Sequence, residues 1–191
     1  MLPPQIEDQV APKRCGHTRD KATVDRATAI ERVRAAVDAA REHAAARGGG
    51  EDDALLIVAR TDALKTHGLN EALERARAFR ALGADILFVE APQSVEEMRT
   101  ICDEVGGTQM ANMLAGGLTP VLTPPELEAI GFKLAAYPLD LLNAAIAGQR
   151  RTLDALAMTG LPSEADSLSF VEVQAAVGFP EYYDEEARYK A

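Results

Sequence analysis

The stretch IEDQVAPKRCGH, residues 6–17, sets Glu7 and Asp8 beside Lys13, Arg14, Cys15 and His17, a dense run of reactive side chains near the start of the chain. A thiol among cations ionises more readily than a free one, because positive charge favours the thiolate. Cys15 is therefore a candidate reactive thiol; the bland alternative is a surface cysteine in a charged loop. Arg60 ends the apolar run ALLIVAR, where a planar guanidinium can hold a carboxylate through two parallel hydrogen bonds. The weaker reading of Arg60 is an ion pair with Asp62 or Glu90, and Asp62 itself is assigned to holding a loop or helix start. Glu90 follows ILFV and Asn112 follows QMA; either is a rim group or a member of an internal polar network. LAGGLTP offers the Thr119 hydroxyl to a carboxylate, with glycines that permit close backbone approach, but it lacks the Lys-Ser/Thr ending of a phosphate loop.

These residues need a frame. Thr23 to Arg47 carries apolar residues near helical spacing and ends at Gly48 to Gly50, which reads as a helix and a turn. ALLIVARTDA is a strand apolar enough to be covered on both faces. LNEALERARAFRALG is a helix with Asn70 as a possible N-cap and Gly83 as its stop. The same alternation returns as ADILFVEAP and SVEEMRTICDEV, then TQMANML and PPELEAIG, then FKLAAYPL and DLLNAAIAGQRRTLDALAM. Such a pattern predicts parallel strands joined by helices, with Arg60, Glu90 and Asn112 at the strands' C-terminal ends, where α/β folds place their sites. Period-two alternation along a strand points Asp8 away from Glu7. Residues 161–191 read as the polar linker LPSEADSLS and one amphipathic piece, FVEVQAAVGFPEYYDEEARY, whose aromatics need a surface to bury against.

Composition narrows the function. With 20 Lys and Arg against 30 Asp and Glu, the formal charge is -10, which repels phosphate backbones and anionic lipid. Neither nucleic acid nor membrane is an expected partner. Cys15 and Cys102 form no CxxC pair, the N-terminus shows no basic and apolar leader, and the most apolar stretch is broken by Asp140 and Asn143. The expected location is the cytoplasm.

IEDQVAPKRCGH, ARTDA, GADILFVEAP, ANMLAGGLTP and GFKLAAYPL stand in an order and spacing that resembles the isocitrate lyase and phosphoenolpyruvate mutase superfamily. The likeness is greatest to its short members, such as methylisocitrate lyase, dimethylmalate lyase and oxaloacetate hydrolase. The resemblance implies a (β/α)8 barrel that binds Mg2+ (or Mn2+) and a small carboxylate at its C-terminal rim, usually as a tetramer with C-terminal helices swapped between subunits. It places KRCGH after the fourth barrel strand, so residues 1–160 are expected to hold strands four to eight as a partial barrel, with 161–191 as a C-terminal helical extension. It also implies roles: Cys15 as the acid that protonates the carbanion, its protonation set by the bound anionic substrate; Lys13 as a catalytic cation; Gly16, His17, Arg60, Glu90, Asn112 and Thr119 as substrate contacts; and Glu7 as acceptor from metal-bound water. The implied function is cleavage of a carbon-carbon bond in a small di- or tricarboxylate. The alternatives are hydrolysis or decarboxylation of oxaloacetate in the same pocket, or an inactive truncated paralogue, because the aspartates that hold the family's metal most directly are expected upstream of this sequence.

Overall fold

The computed structural model of the 191-residue chain describes residues 3–13, 21–162 and 167–190. Five parallel strands form one sheet in chain order: β1 (Gln5–Glu7), β2 (Val58–Thr61), β3 (Ile86–Val89), β4 (Thr108–Asn112) and β5 (Leu134–Ala136). Parallel neighbours need crossovers, and helices supply them. The β1–β2 connection carries α1 (Arg26–Ala46), and the β2–β3 connection carries α2 (Ala63–His67) and α3 (Leu69–Leu82). Then α4 (Val95–Val105) leads to β4, α5 (Pro124–Ile130) leads to β5, and α6 (Asp140–Thr159) follows. Unbroken strand order with a helix after each strand is the arrangement of a partial (β/α)8 barrel, as the alternation in the sequence predicts.

Alternation along the strands sorts the core into two faces. Ala59, Leu87 and Val89 point toward the helices and pack with Val33 and Val37 of α1, Leu73, Ala76 and Phe79 of α3, and Ile101 and Val105 of α4. Met98, Cys102, Ala111, Met113, Leu127, Ile130 and Phe132 form a second cluster around α4 and α5. Burial pushes the Cys102 thiol up to about 11, with Asp103 adding to the shift. The opposite face holds Val58, Ile86 and Phe88 with Met110 against them. All residues of β2 and β3 are buried, in keeping with cover on both sides.

Helix boundaries follow local chemistry. α1 begins at Arg26 rather than Thr23 because Asp25 caps it, accepting from the Thr28 amide at 2.9 Å, while Thr23 forms an antiparallel bridge with Gln9. Asn70 does not cap α3; Gly68 occupies that position at φ 89°, where a side chain would be strained. Gly83 ends α3 in the left-handed region as expected. Thr123 and Glu126 form a reciprocal capping box at α5.

Two compact units emerge, residues 1–139 and 140–191, so the expected boundary near residue 160 falls inside the second. That second unit holds α6, α7 (Phe170–Ala176) and α8 (Phe179–Arg188). The expected single amphipathic piece is two helices, separated at Gly178 in the left-handed region. No residue of α6, α7 or α8 is buried, and Leu141, Met158, Phe170 and Tyr189 are exposed. No helix among the described residues is long and apolar enough to cross a membrane.

Candidate active site

The C-terminal ends of β1, β2, β3 and β4 gather the polar groups. Strand register pairs Glu7 with Arg60, and Arg60 with Phe88, so these side chains share the inner face of the sheet. Arg60 is the hub. It donates to Asp62 through two parallel hydrogen bonds, Nε to Oδ2 at 2.8 Å and Nη2 to Oδ1 at 2.9 Å. Its Nη2 lies 3.2 Å from Glu90 Oε2, its Nε 3.6 Å from Glu7 Oε2, and its guanidinium carbon 5.1 Å from the Phe88 ring centroid. Both ion pairs of the weaker reading are present, because residues 60 and 62 lie two apart at a strand end and Glu90 ends the neighbouring strand. Burial disfavours the charge on Arg60, yet Asp62, Glu90 and Glu7 outweigh it and raise the pKa.

Around the hub, Lys13 Nζ lies 3.1 Å from Glu7 Oε2, and Asn112 Nδ2 donates to Glu90 Oε1 at 3.4 Å. Glu90 is almost fully buried. The chain turns immediately after it through Ala91 at φ 62°, a conformation costing an L-residue roughly 1 kcal/mol. Five of the sequence-derived site residues, Glu7, Lys13, Arg60, Glu90 and Asn112, thus meet in one cluster. Thr119 is buried in the connection after β4, and its hydroxyl makes no hydrogen bond among the described residues. Cys15, Gly16 and His17 lie outside the described residues.

Asp62 corrects its own expectation. It stands at the N-cap position of α2 but makes no side-chain cap; both its oxygens are used by cations. The second cation is Lys21, whose Nζ donates to Asp62 Oδ1 at 2.7 Å. Burial would raise the Asp62 pKa, but Arg60 and Lys21 hold it below the usual carboxylate range. The sequence gives no sign of this use of Lys21, which sits in a polar stretch without periodicity.

The helix side of the same strand ends carries a separate network. Asp8 accepts from Thr61 Oγ1 at 2.7 Å, from the Asp62 amide at 2.8 Å and from Arg75 Nη1 at 3.0 Å. Arg75 also donates to Glu71 at 2.8 Å and to the Val24 carbonyl at 2.9 Å, and Glu71 pairs with Arg26. Hydrogen bonding from Arg26, followed in weight by an opposing burial effect and by Arg75, holds Glu71 at about 2. Arg75 is another group missed in the sequence, although its place among Ala72, Ala76 and Phe79 on the buried stripe of α3 marks it as a charge in a core position.

A Mg2+ site needs near-octahedral oxygen ligation. Among the described residues no group of three or more His, Cys, Asp or Glu is placed to hold an ion. The rim carboxylates Glu7 and Glu90 already face Lys13 and Arg60. The described residues do not fit a metal ligand set by themselves, and Glu7 is at most a neighbour of one.

What they do offer is a fixed guanidinium, two ammoniums and a neutral amide close to three carboxylates, a balanced set of charges at the strand ends. The chain is 42% identical over 134 residues to 2,3-dimethylmalate lyase of Eubacterium barkeri, covering 70% of this chain and 43% of that protein. It is 36% identical over 187 residues to the petal death protein of Dianthus caryophyllus, covering 97% of this chain and 56% of that protein. The solved structure of oxaloacetate acetylhydrolase with the inhibitor 3,3-difluorooxalacetate superposes with a TM-score of 0.86 at 32% identity, over 98% of this chain and 61% of that one. The chain thus spans about half the length of the curated relatives it matches. Residues 4–157 match the phosphoenolpyruvate phosphomutase family model, a match that takes in all five strands and the whole Arg60 cluster, and the chain belongs to that family.

Proposed function

We propose that the chain contributes the carboxylate-binding rim of an enzyme that cleaves a carbon-carbon bond in a small di- or tricarboxylate. The observation that carries this reading is Arg60: a guanidinium on the inner face at a strand's C-terminal end, locked by Asp62 and flanked by Glu7 and Glu90. A substrate carboxylate would meet the Arg60 charge, with Asn112 and Thr119 as neutral partners. In cleavage beside a carboxylate a general base accepts the substrate hydroxyl proton, that carbon becomes a carbonyl as the carbon-carbon bond breaks, and the bond's electron pair stays on the other fragment as an enolate. Fixed positive charge stabilises that enolate, and Cys15 gives its thiol proton to the carbanion carbon. Lys13, Gly16 and His17 belong to the same reading as groups near the thiol and the substrate.

Hydrolysis of oxaloacetate in the same pocket is the second reading, favoured by the likeness to oxaloacetate acetylhydrolase. An assembly of several copies also belongs here, supported by the apolar residues that α6, α7 and α8 leave exposed. Turnover of methylisocitrate, dimethylmalate and oxaloacetate by the chain, each with and without Mg2+, tests the proposal. Release of a 2-oxo acid from either of the first two supports the lyase, and oxalate from the third supports the hydrolase. Inertness toward all three, together with no binding of oxalate in a calorimetric titration, overturns both.

A further inference from the structure

We propose that Lys21 is a positioning residue for carboxylate capture, a buried ammonium that neutralises Asp62 and so leaves the charge of Arg60 available at the rim. The inference rests on the carboxylate-binding reading of Arg60 and adds to it a residue remote from the cluster in sequence. The Lys21 side chain is 1% exposed, and a buried ammonium is costly unless its charge is used.

Anchoring of the chain does not account for it. The backbone around Lys21 is already tied to the strand end of β1 by Val10 N to Ala22 O at 2.9 Å, by Val24 N to Asp8 O at 2.8 Å and by the bridge between Gln9 and Thr23. Charge does account for it. Arg60 has carboxylates of Asp62, Glu90 and Glu7 within 3.6 Å, so Arg60 with these three alone carries a net negative charge that would repel an anion. Among the described residues, Lys13 and Lys21 bring the cluster to neutrality. Of the two, Lys13 is 59% exposed on its side chain and screened by water, whereas the charge of Lys21 acts in a dry setting. The geometry shows how it acts on the guanidinium: Lys21 Nζ and Arg60 Nη2 share one oxygen, Asp62 Oδ1, at 2.7 Å and 2.9 Å. With its charge met from the far side, Asp62 can orient Arg60 without cancelling it.

The test is calorimetric titration of the 191-residue chain with oxalate, alongside thermal unfolding of each variant. Lys21→Gln keeps a donor for Asp62 and removes the charge; its oxalate affinity is expected to fall about tenfold. Lys21→Arg should stay within about threefold of the parent. The double variant Lys21→Gln/Glu7→Gln restores the charge balance with the Asp62 fork to Arg60 left in place and should recover most of the loss, a compensation through charge alone. Parent-like affinity in Lys21→Gln, or a double variant as weak as the single, overturns the inference and leaves the carboxylate reading standing. No oxalate binding by the parent overturns that reading, and this inference with it. Should Lys21→Gln fail to fold, Glu7→Gln alone decides: removing one carboxylate from the balanced cluster should raise oxalate affinity about threefold or more, and unchanged affinity overturns the inference.

Discussion

Glu7 and Asp8 are adjacent carboxylates at the end of one strand, and the pleat sends them to opposite fates. Glu7 faces the inner side, partly exposed, near Lys13 and Arg60, at distances that leave room for exchange with a ligand. Asp8 faces the helices, 1% exposed, and accepts from a hydroxyl, an amide and a guanidinium at 2.7–3.0 Å. The inner cluster is arranged around charge that a small acid could share, whereas the helix-side network is saturated by the protein itself. Polar burial near a site is thus not one phenomenon: one face tolerates incomplete pairing for binding, and the other completes it for stability.

The contrast can be broken most severely at Asp8. Asp8→Ala leaves Arg75 buried without that partner and should lower stability by about 3–5 kcal/mol, read by urea unfolding; a loss under 1 kcal/mol would show the network to be dispensable. On the other face, Arg60→Lys keeps the charge but loses the fork. Oxalate affinity should fall about a hundredfold while unfolding free energy changes by only about 1–2 kcal/mol, and an unchanged affinity would remove Arg60 from the site. Thr61→Val deletes the hydroxyl that donates to Asp8 and accepts from the Ala63 amide at 3.1 Å, for about 1–2 kcal/mol of stability with oxalate binding intact. The smallest effect is acid sensitivity through Glu71. Its native pKa of about 2 lies below the usual 4.5, so its contribution is full above pH 4.5 and fades as pH falls toward 2. Glu71→Gln should flatten stability across that window, with its full cost present above pH 4.5, pH 7 included, and the difference from the parent closing toward pH 2.

Periodicity carried much of this molecule in its sequence. The beat of apolar runs and amphipathic helices gave the parallel sheet, and strand-end position assembled Glu7, Arg60, Glu90 and Asn112 at one rim. Alternation also separated Glu7 from Asp8. What periodicity does not encode is which cation meets which anion. Arg60 and Asp62, two apart at a strand end, are open to pairing by the same alternation, and spacing alone does not say whether the fork meets a neighbour or a ligand. Arg75 left a trace as a charge within the buried stripe of α3, and Lys21 left none, because its partner is 41 residues away and its segment has no regular structure. At the other end of the chain, the break at Gly178 was legible in GFP, a glycine ahead of a first-turn proline, yet the amphipathic pattern ran across it and read as one piece.

Cys102 lends the fold a clock. Buried on α4, with Gly131 of the next connection packed so closely that an added Cβ would sit 3.1 Å from its own, and with its thiol pushed up to about 11, it is nearly inert while the second core cluster stays closed. The rate at which a thiol reagent labels Cys102 at neutral pH therefore measures how often α4 and α5 part, a local opening frequency that can be followed with no ligand present.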